Sequence, residues 1–425
     1  MTPNALLALL IAVLVLDFAL TWVARWLQLR HQPASPPEEF AGIVDAAGYR
    51  KGRAYAVAKA HLGLAEALVA LALWLALLAS GTLGVAHAWV ASWSGGGWWS
   101  AMLFLGGVAL AFQLLGLPFA VARTFGIEAR FGFNTTTVAT FVRDRLTGAG
   151  IALVLGGALL ALLLASIDAW GAAFWLPYAA VAATAIVLLA TFQTSVLLPL
   201  FNKLTPLPAG ELKSAIADYV RGAGFELTDT YQMDGSKRST KANAFFSGLG
   251  RQKKVVLFDT LIARHPPGEV VAVVAHEVGH ARLRHLPWLL IGNVASVTLT
   301  LFFLSLVVDS AALSRALGAD GHALALNLLA FGVLFTPVTT AIGVALNGVS
   351  RRFEFQADAF AARTHDSAAM IAALRRLSSD ALADPTAHPL YAWLFLTHPA
   401  PVDRIRAIAA AHAISTPATP DGARA

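Results

Sequence analysis

"VAVVAHEVGHARLRH", residues 271–285, is an apolar run carrying His276, Glu277 and His280, directly before a second apolar run that begins at Leu286. Each residue of a helix advances about 100°, so His276 and His280 fall about 40° apart on one face, one turn above the other. Two neutral imidazoles so placed can hold one divalent ion. Glu277 lies about 60° from His280, near enough to reach a water on that ion without being a ligand. This is what H-E-x-x-H chemistry requires: zinc to lower the pKa of its bound water, and a carboxylate to take the proton as that water attacks a carbonyl. The preceding "GEVVAVVA" (268–275) predicts an apolar helix that buries the site, and Gly279 leaves room for another backbone to approach.

The surroundings of this helix are those of a membrane protein. Of 425 residues, 57% are hydrophobic and only 13% charged, and the mean hydropathy is +0.65, far from soluble composition. No cysteine is present, which excludes disulfides, thiolate ligands and a cysteine nucleophile, so a metal must be held by histidines and carboxylates. The net charge of +6 reads as Lys and Arg gathered in cytoplasmic loops, and no nucleic-acid partner is expected. Seven stretches approach the roughly 20 residues a span needs: Ala5–Leu27, Leu62–Leu83, Ala101–Ala122, Ala149–Ile167, Phe174–Leu200, Leu286–Val308 and Ala323–Ala345. The first lacks a basic flank and a cleavage site and reads as an anchor.

Basic residues cluster in alternate loops: Arg30, Arg50, Lys51, Arg53 and Lys59 after span one, Arg123, Arg130, Arg143 and Arg145 after span three. The loop 87–99 is uncharged, and 309–321 carries only Arg315 among its Lys and Arg positions. The alternation puts the N-terminus outside and the C-terminus in the cytoplasm. Residues 32–44 read as a Pro-rich linker into a basic helical segment on the membrane surface. Between Asn202 and His285, "GELKSAIADYVRGAG" has helical periodicity, while "ELTDTYQM", "NAFFSG" and "KVVLFD" are strand-like runs separated by the turns "DGSKRSTK" and "GLGRQKK". The expected class is therefore mostly α, with seven transmembrane helices and a small cytoplasmic α+β zinc-protease domain. The expected divisions are 1–201 (spans one to five), 202–285 (the α+β segment with H-E-x-x-H), 286–347 (spans six and seven) and 348–425 (a helical segment ending in a disordered tail).

A catalytic zinc site needs a third ligand and an open position. After span seven, "RRFEFQADAF" offers Glu354 and Asp358 at i, i+4 on a helix leaving the membrane on the same side as His276. Glu354 completes a His₂Glu set. Asp358 either fixes the tautomer of a ligating histidine or forms a surface ion pair with Arg351 or Arg352.

Together these residues resemble the type I CAAX prenyl endopeptidases, seven-span zinc proteases of the membrane. The likeness extends to "LPLFNKLTPLPAGEL" (198–212), "DGSKRSTKANAFFSGLG" (234–250), "RFEFQADAFA" (352–361) and "THPAPVDRI" (397–405), and covers the chain to about residue 410. It implies seven spans ringing a water-filled chamber, one Zn²⁺ per chain held by His276, His280 and Glu354, and Glu277 as general base. It further implies that Asn243, Ala244 and Phe245 lie on an edge strand that pairs with an extended substrate, and that His398 and Arg404 face the reacting carbonyl or the substrate's terminal carboxylate. Apart from the resemblance, Asn243 reads as a turn residue and His398 as a cap or surface group.

The expected function is a zinc-dependent endopeptidase cutting near the C-terminus of a peptide or protein, lipid-modified or not. A quality-control membrane zinc protease of broad specificity is the alternative enzyme, and a non-catalytic metal or lipid transporter the alternative of another class. A monomer among membrane lipids is expected, and the Ala-, Leu- and Arg-heavy composition without cysteine reads as a bacterial inner-membrane protein. His285 lies five residues beyond His280, about 140° round a continuous helix, and is set aside. His31, His61, His87, His265, His322, His365, His388 and His412 lack partners at ligand spacing and read as interfacial or solvated. Asp17 and Glu66, inside spans one and two, call for a cavity or a partner.

Overall fold

The computed structural model describes residues 1–227, 229–247 and 254–415, with side chains to residue 411. The turn expected at 248–254 lies almost wholly outside the described residues, as does the tail from 416 onward. Among the described residues, six helices are long and apolar enough to cross a membrane: Pro3–His31, Ala46–Ser80, Gly97–Glu128, Val138–Ala173, Trp175–Leu200 and His285–Ser305. The pair Leu324–Leu334 and Thr336–Thr364, bent by 49°, is long and apolar enough when taken together, and makes seven if it counts as one span. Pro337 sits in the first turn of the second member, where its missing N–H is an orphan in any case.

Two expectations change. The basic segment carrying Arg50, Lys51, Arg53 and Lys59 is not a separate surface helix but the opening turns of Ala46–Ser80. The uncharged stretch 87–99 is largely a helix, Thr82–Ser94, which Gly81 (φ +66°) separates from the span before it. Neither difference was readable from hydropathy, because a charged opening to a span and a helix of 13 residues both fall outside a pattern of about 20 apolar residues.

The chain forms two compact units. The first comprises Met1–Leu27, Val57–Ala190 and Leu289–Ala345. Its core packs Leu10, Leu83, Phe104, Leu164, Leu313, Leu317 and Leu326, all nearly inaccessible. One contact there tolerates no side chain, since a Cβ on Gly84 would lie 2.1 Å from the Gly318 carbonyl oxygen. Buried polar groups are satisfied in place: the Ser314 hydroxyl donates to Asn327 Oδ1 at 2.8 Å, and Asn327 Nδ2 donates to the Val308 carbonyl at 2.8 Å. Glu66 meets Arg123 at 2.6 Å on the wall of a cavity of about 410 Å³, so both a partner and a cavity answer the charge in span two.

The second unit comprises Gln28–Ala56, Thr191–Trp288 and Leu346–Ala425. Its sheet has four described strands, β1 (Leu204–Pro206), β2 (Asp229–Met233), β3 (Ala244–Ser247) and β4 (Lys254–Phe258), in the order β1-β2-β4-β3. β4 pairs parallel with β2 and antiparallel with β3, which puts β3 at the sheet edge. The central β4 is buried on both faces through Val255, Val256 and Leu257, as a continuous apolar run predicts. β1, three residues ending in Pro206, carries too little pattern to be read from sequence. Helices Glu211–Gly222 and Pro267–Arg282 share one core with the sheet, packing Ile216 and Val220 with Val270, Val274 and Val278.

Candidate active site

The motif helix, Pro267–Arg282, opens with proline at its first position and Glu269 in its first turn, favourable chemistry for a helix N-terminus. Glu269 is buried, accepts from Arg376 Nε at 3.0 Å, and lies 2.9 Å from His265 Nδ1. His265 is therefore a buried, partnered histidine and not the solvated one expected. From this anchored start the helix runs through Val270–Ala275, all buried, and delivers His276, Glu277 and His280. Its neighbour is the ligand helix, Thr336–Thr364, on which Glu354, Ala357 and Asp358 are buried.

These two helices bring His276, His280 and Glu354 together, with one potential ligand atom from each, all lying within 4.8 Å of one another. His276 Nε2 lies 3.1 Å from His280 Nε2 and 3.5 Å from Glu354 Oε2, and His280 Nε2 lies 3.3 Å from Glu354 Oε1. Glu354 Oε2 is buried without a hydrogen-bond partner. A buried carboxylate oxygen without a hydrogen bond is costly unless cations meet it, and the guanidinium beside it, Arg404 Nη1, stands 3.5 Å away. Two imidazole nitrogens and a carboxylate, converging on that orphan, fit a divalent ion. The close approach anticipated at Gly279 is to Ala357: a Cβ on Gly279 would lie 3.1 Å from Ala357 Cα and 3.2 Å from Phe360 Cδ1.

Asp358 pairs with neither Arg351 nor Arg352. Its Oδ1 lies 2.9 Å from His276 Nδ1, and Arg404 donates to both its oxygens, at 2.7 and 2.6 Å. Arg404 Nη1 is also 3.5 Å from Glu354 Oε2. Burial works against the Arg404 charge, but Asp358 and then Glu354 outweigh it and hold the guanidinium above its usual pKa. His398 reaches the site from the C-terminal segment, Nε2 3.1 Å from Glu354 Oε1, with its side chain 61% exposed. Arg351 donates to the carbonyls of Ala392 and Leu396, at 2.8 and 2.6 Å, and so fixes the chain leading to His398.

Glu277 faces the sheet. Its Oε2 accepts from the Phe246 backbone N–H at 3.1 Å, so the edge of β3 that does not pair with β4 meets the carboxylate. Withdrawal from water pushes the Glu277 pKa up, against the opposing pull of His276, His280 and the Phe246 amide. Ala244 and Phe245 lie on β3 and Asn243 directly before it; Asn243 Oδ1 accepts from the Ala244 N–H at 2.9 Å. Phe246 was not among the residues singled out in the sequence, because its contribution is an amide, which no side-chain pattern reports.

His285 is the larger omission. The motif helix ends at Arg282, and Arg284 adopts a left-handed φ of 58°, so the regular 100° advance does not extend to residue 285. His285 Nδ1 consequently lies 3.0 Å from His280 Nδ1, and His285 Nε2 lies 3.0 Å from Gln356 Oε1. A break in a helix leaves no signature in spacing alone.

Fold and site define a multi-pass membrane metalloendopeptidase. Residues 25–203 match the CAAX prenyl protease N-terminal region of five membrane helices, and residues 206–412 match peptidase family M48. CAAX prenyl protease 1 homologues from Arabidopsis thaliana and Homo sapiens are 32% and 28% identical, each over 88% of this chain and 90% and 88% of their own lengths. The crystal structure of S. mikatae Ste24p superposes with a TM-score of 0.89 at 26% identity, covering 95% of this chain and 99% of that one. The chain belongs to the M48 peptidases with a CAAX prenyl protease N-terminal region. Membership replaces the transporter reading with that of an enzyme acting on a peptide or protein.

Proposed function

We propose that the protein is a zinc endopeptidase hydrolysing a peptide bond near the C-terminus of its substrate, with His276, His280 and Glu354 as ligands and Glu277 as general base. The observation that carries this reading is the convergence of His276, His280 and the Glu354 carboxylate, whose Oε2 accepts no hydrogen bond, from two separate parts of the chain. Bound there, zinc would supply Lewis acidity to the scissile carbonyl and acidify the attacking water.

The remaining work falls to the chain's own groups. An extended substrate lies along the open edge of β3, where the strand's alternation turns the Ala244 carbonyl outward. The Asn243 carbonyl accepts from the Phe258 N–H and Phe245 pairs with Val256 on the inner side, so that these two flank the substrate without offering it main-chain groups. Glu277 accepts the proton of the attacking water and returns it to the leaving amine. His398, exposed with Nε2 3.1 Å from Glu354 Oε1, would turn from that carboxylate to donate to the oxyanion. Arg404, committed to Asp358, orients His276 through that carboxylate and leaves less of its charge for the substrate than the family resemblance implies.

The relatives' name supports CAAX-type processing as the substrate class, and the chamber, the monomeric state and contact with membrane lipids belong to the same reading. The relatives reported above are eukaryotic, so the bacterial inner-membrane placement, with the N-terminus outside and the site facing the cytoplasm, rests on composition and loop charge. Broad-specificity quality control remains the competing function. The deciding experiment is metal stoichiometry of the detergent-purified protein, with cleavage of matched farnesylated and unmodified peptides by wild type and Glu277→Ala. One zinc per chain and preference for the farnesylated peptide are expected. Equal rates on the two peptides would remove the prenyl reading, and an active Glu277→Ala would remove the mechanism.

A further inference from the structure

We propose that His285 is a positioning residue that fixes the tautomer and orientation of the His280 ligand, through a neutral hydrogen-bond chain ending on Gln356. The inference rests on the zinc reading above. His280 turns Nε2 toward His276 and Glu354 and Nδ1 toward His285, 3.0 Å away. A nitrogen that binds a cation must present its lone pair, so the His280 proton belongs on Nδ1. That proton then points at His285 Nδ1, which accepts it, and the remaining His285 proton sits on Nε2 and is donated to Gln356 Oε1 at 3.0 Å. The opposite arrangement would protonate His280 Nε2 and turn a lone pair of His285 toward the Gln356 oxygen, losing one hydrogen bond and the ligand together. One proton arrangement therefore satisfies every link.

The ring that does this is itself held rigidly. His285 is 2% exposed and stacks on Phe353 with centroids 4.0 Å apart and planes within 4°. Its end partner, Gln356, lies on the ligand helix between Glu354 and Asp358. One helix thus supplies the carboxylate ligand and the partners of both ligating imidazoles: Asp358 directly for His276, and Gln356 through His285 for His280.

The test is zinc affinity of the full-length protein in detergent, measured by competition with a chromophoric chelator, together with the absorption spectrum of the cobalt-substituted form and the melting of the metal-free form. His285→Phe preserves an aromatic ring over Phe353 but cannot accept a proton. It is expected to bind zinc about ten- to a hundredfold more weakly, with an altered cobalt spectrum and unchanged metal-free melting. His285→Gln, which restores an acceptor, is expected to recover most of the affinity. Wild-type affinity and spectrum in His285→Phe would overturn the proposal; should that variant not fold, wild-type affinity in Gln356→Leu would do so. Failure of the zinc reading is distinguishable, because the wild-type protein itself would then bind no stoichiometric zinc.

Discussion

Gly279→Ala tests whether the distance between the motif helix and the ligand helix sets the metal site. The added Cβ would sit 3.1 Å from Ala357 Cα, 3.2 Å from the Ala357 carbonyl oxygen and 3.2 Å from Phe360 Cδ1. Carbon atoms rest comfortably at about 3.5–4.0 Å, so the helices must part by roughly 0.4 Å at this point. Phe360 can rotate, but Ala357 Cα is backbone and cannot move alone. Overpacking of this kind costs about 1–3 kcal/mol, and exchanging glycine for alanine inside a helix returns about 1 kcal/mol. Global stability should therefore fall by no more than about 2 kcal/mol. Metal ligands are less forgiving, with distances held to about 0.2 Å. His280 adjoins Gly279 and Glu354 lies one turn before Ala357, so the wedge acts on the ligand separation itself. The expected result is a modest loss in melting temperature with zinc affinity down about tenfold or more, read by chelator competition. Wild-type zinc affinity and turnover in a folded Gly279→Ala protein would refute the argument that this contact sets the site.

Glu277→Gln should retain zinc and lose turnover by a factor of about 10² to 10⁴; a rate near wild type would remove Glu277 from the chemistry. Arg404→Ala leaves Asp358, 1% exposed in its side chain, as a buried charge left with the His276 ring nitrogen, and should cost up to about 3–5 kcal/mol in unfolding free energy, whereas Arg404→Lys should cost less. Removing metal with a chelator should abolish cleavage and lower the melting temperature, with added zinc restoring both, because an ion that binds only the folded state stabilises it by mass action. Gly84→Leu should prevent accumulation of folded protein, since the site is already closed by the Gly318 carbonyl; normal expression and melting would contradict that contact.

The parts of the site that could be read in the sequence are those whose geometry is local. His276 and His280 share a face because a helix has a fixed period, and the hydrophobic stretches announce spans because a bilayer has a fixed thickness. Glu354 was reachable because a His pair demands a third ligand and a helix leaving the last expected span on the same side carries carboxylates at i, i+4. The bend between Leu334 and Thr336, the hydrogen bond from Phe246 and the approach of His285 follow different rules. Each depends on where a regular element stops, on an amide, or on which segment packs alongside. His285 makes the case sharply: a left-handed Arg284 turns a histidine dismissed for its angular position into a neighbour of the ligand. Asp358 carries the complementary lesson, since its i, i+4 relation to Glu354 was legible but its partner Arg404, 46 residues on, was not.

The sheet edge and the base are coupled by a single bond. Phe246 donates its amide to Glu277, and Phe246 lies on the same short strand as Ala244 and Phe245, against which the proposed substrate lies. Under the proposed function, a peptide lying along β3 would thereby be indexed to the carboxylate proposed to handle its protons, without any side chain of the peptide being read. Side-chain selectivity must then come from elsewhere in the bound substrate. Main-chain registration of this kind accommodates many sequences, so discrimination for a C-terminal, lipid-modified substrate would have to arise from how far the chain end and its lipid reach beyond β3. A family that shares this strand and motif could change substrates by altering that reach while leaving His276, Glu277, His280 and Glu354 untouched.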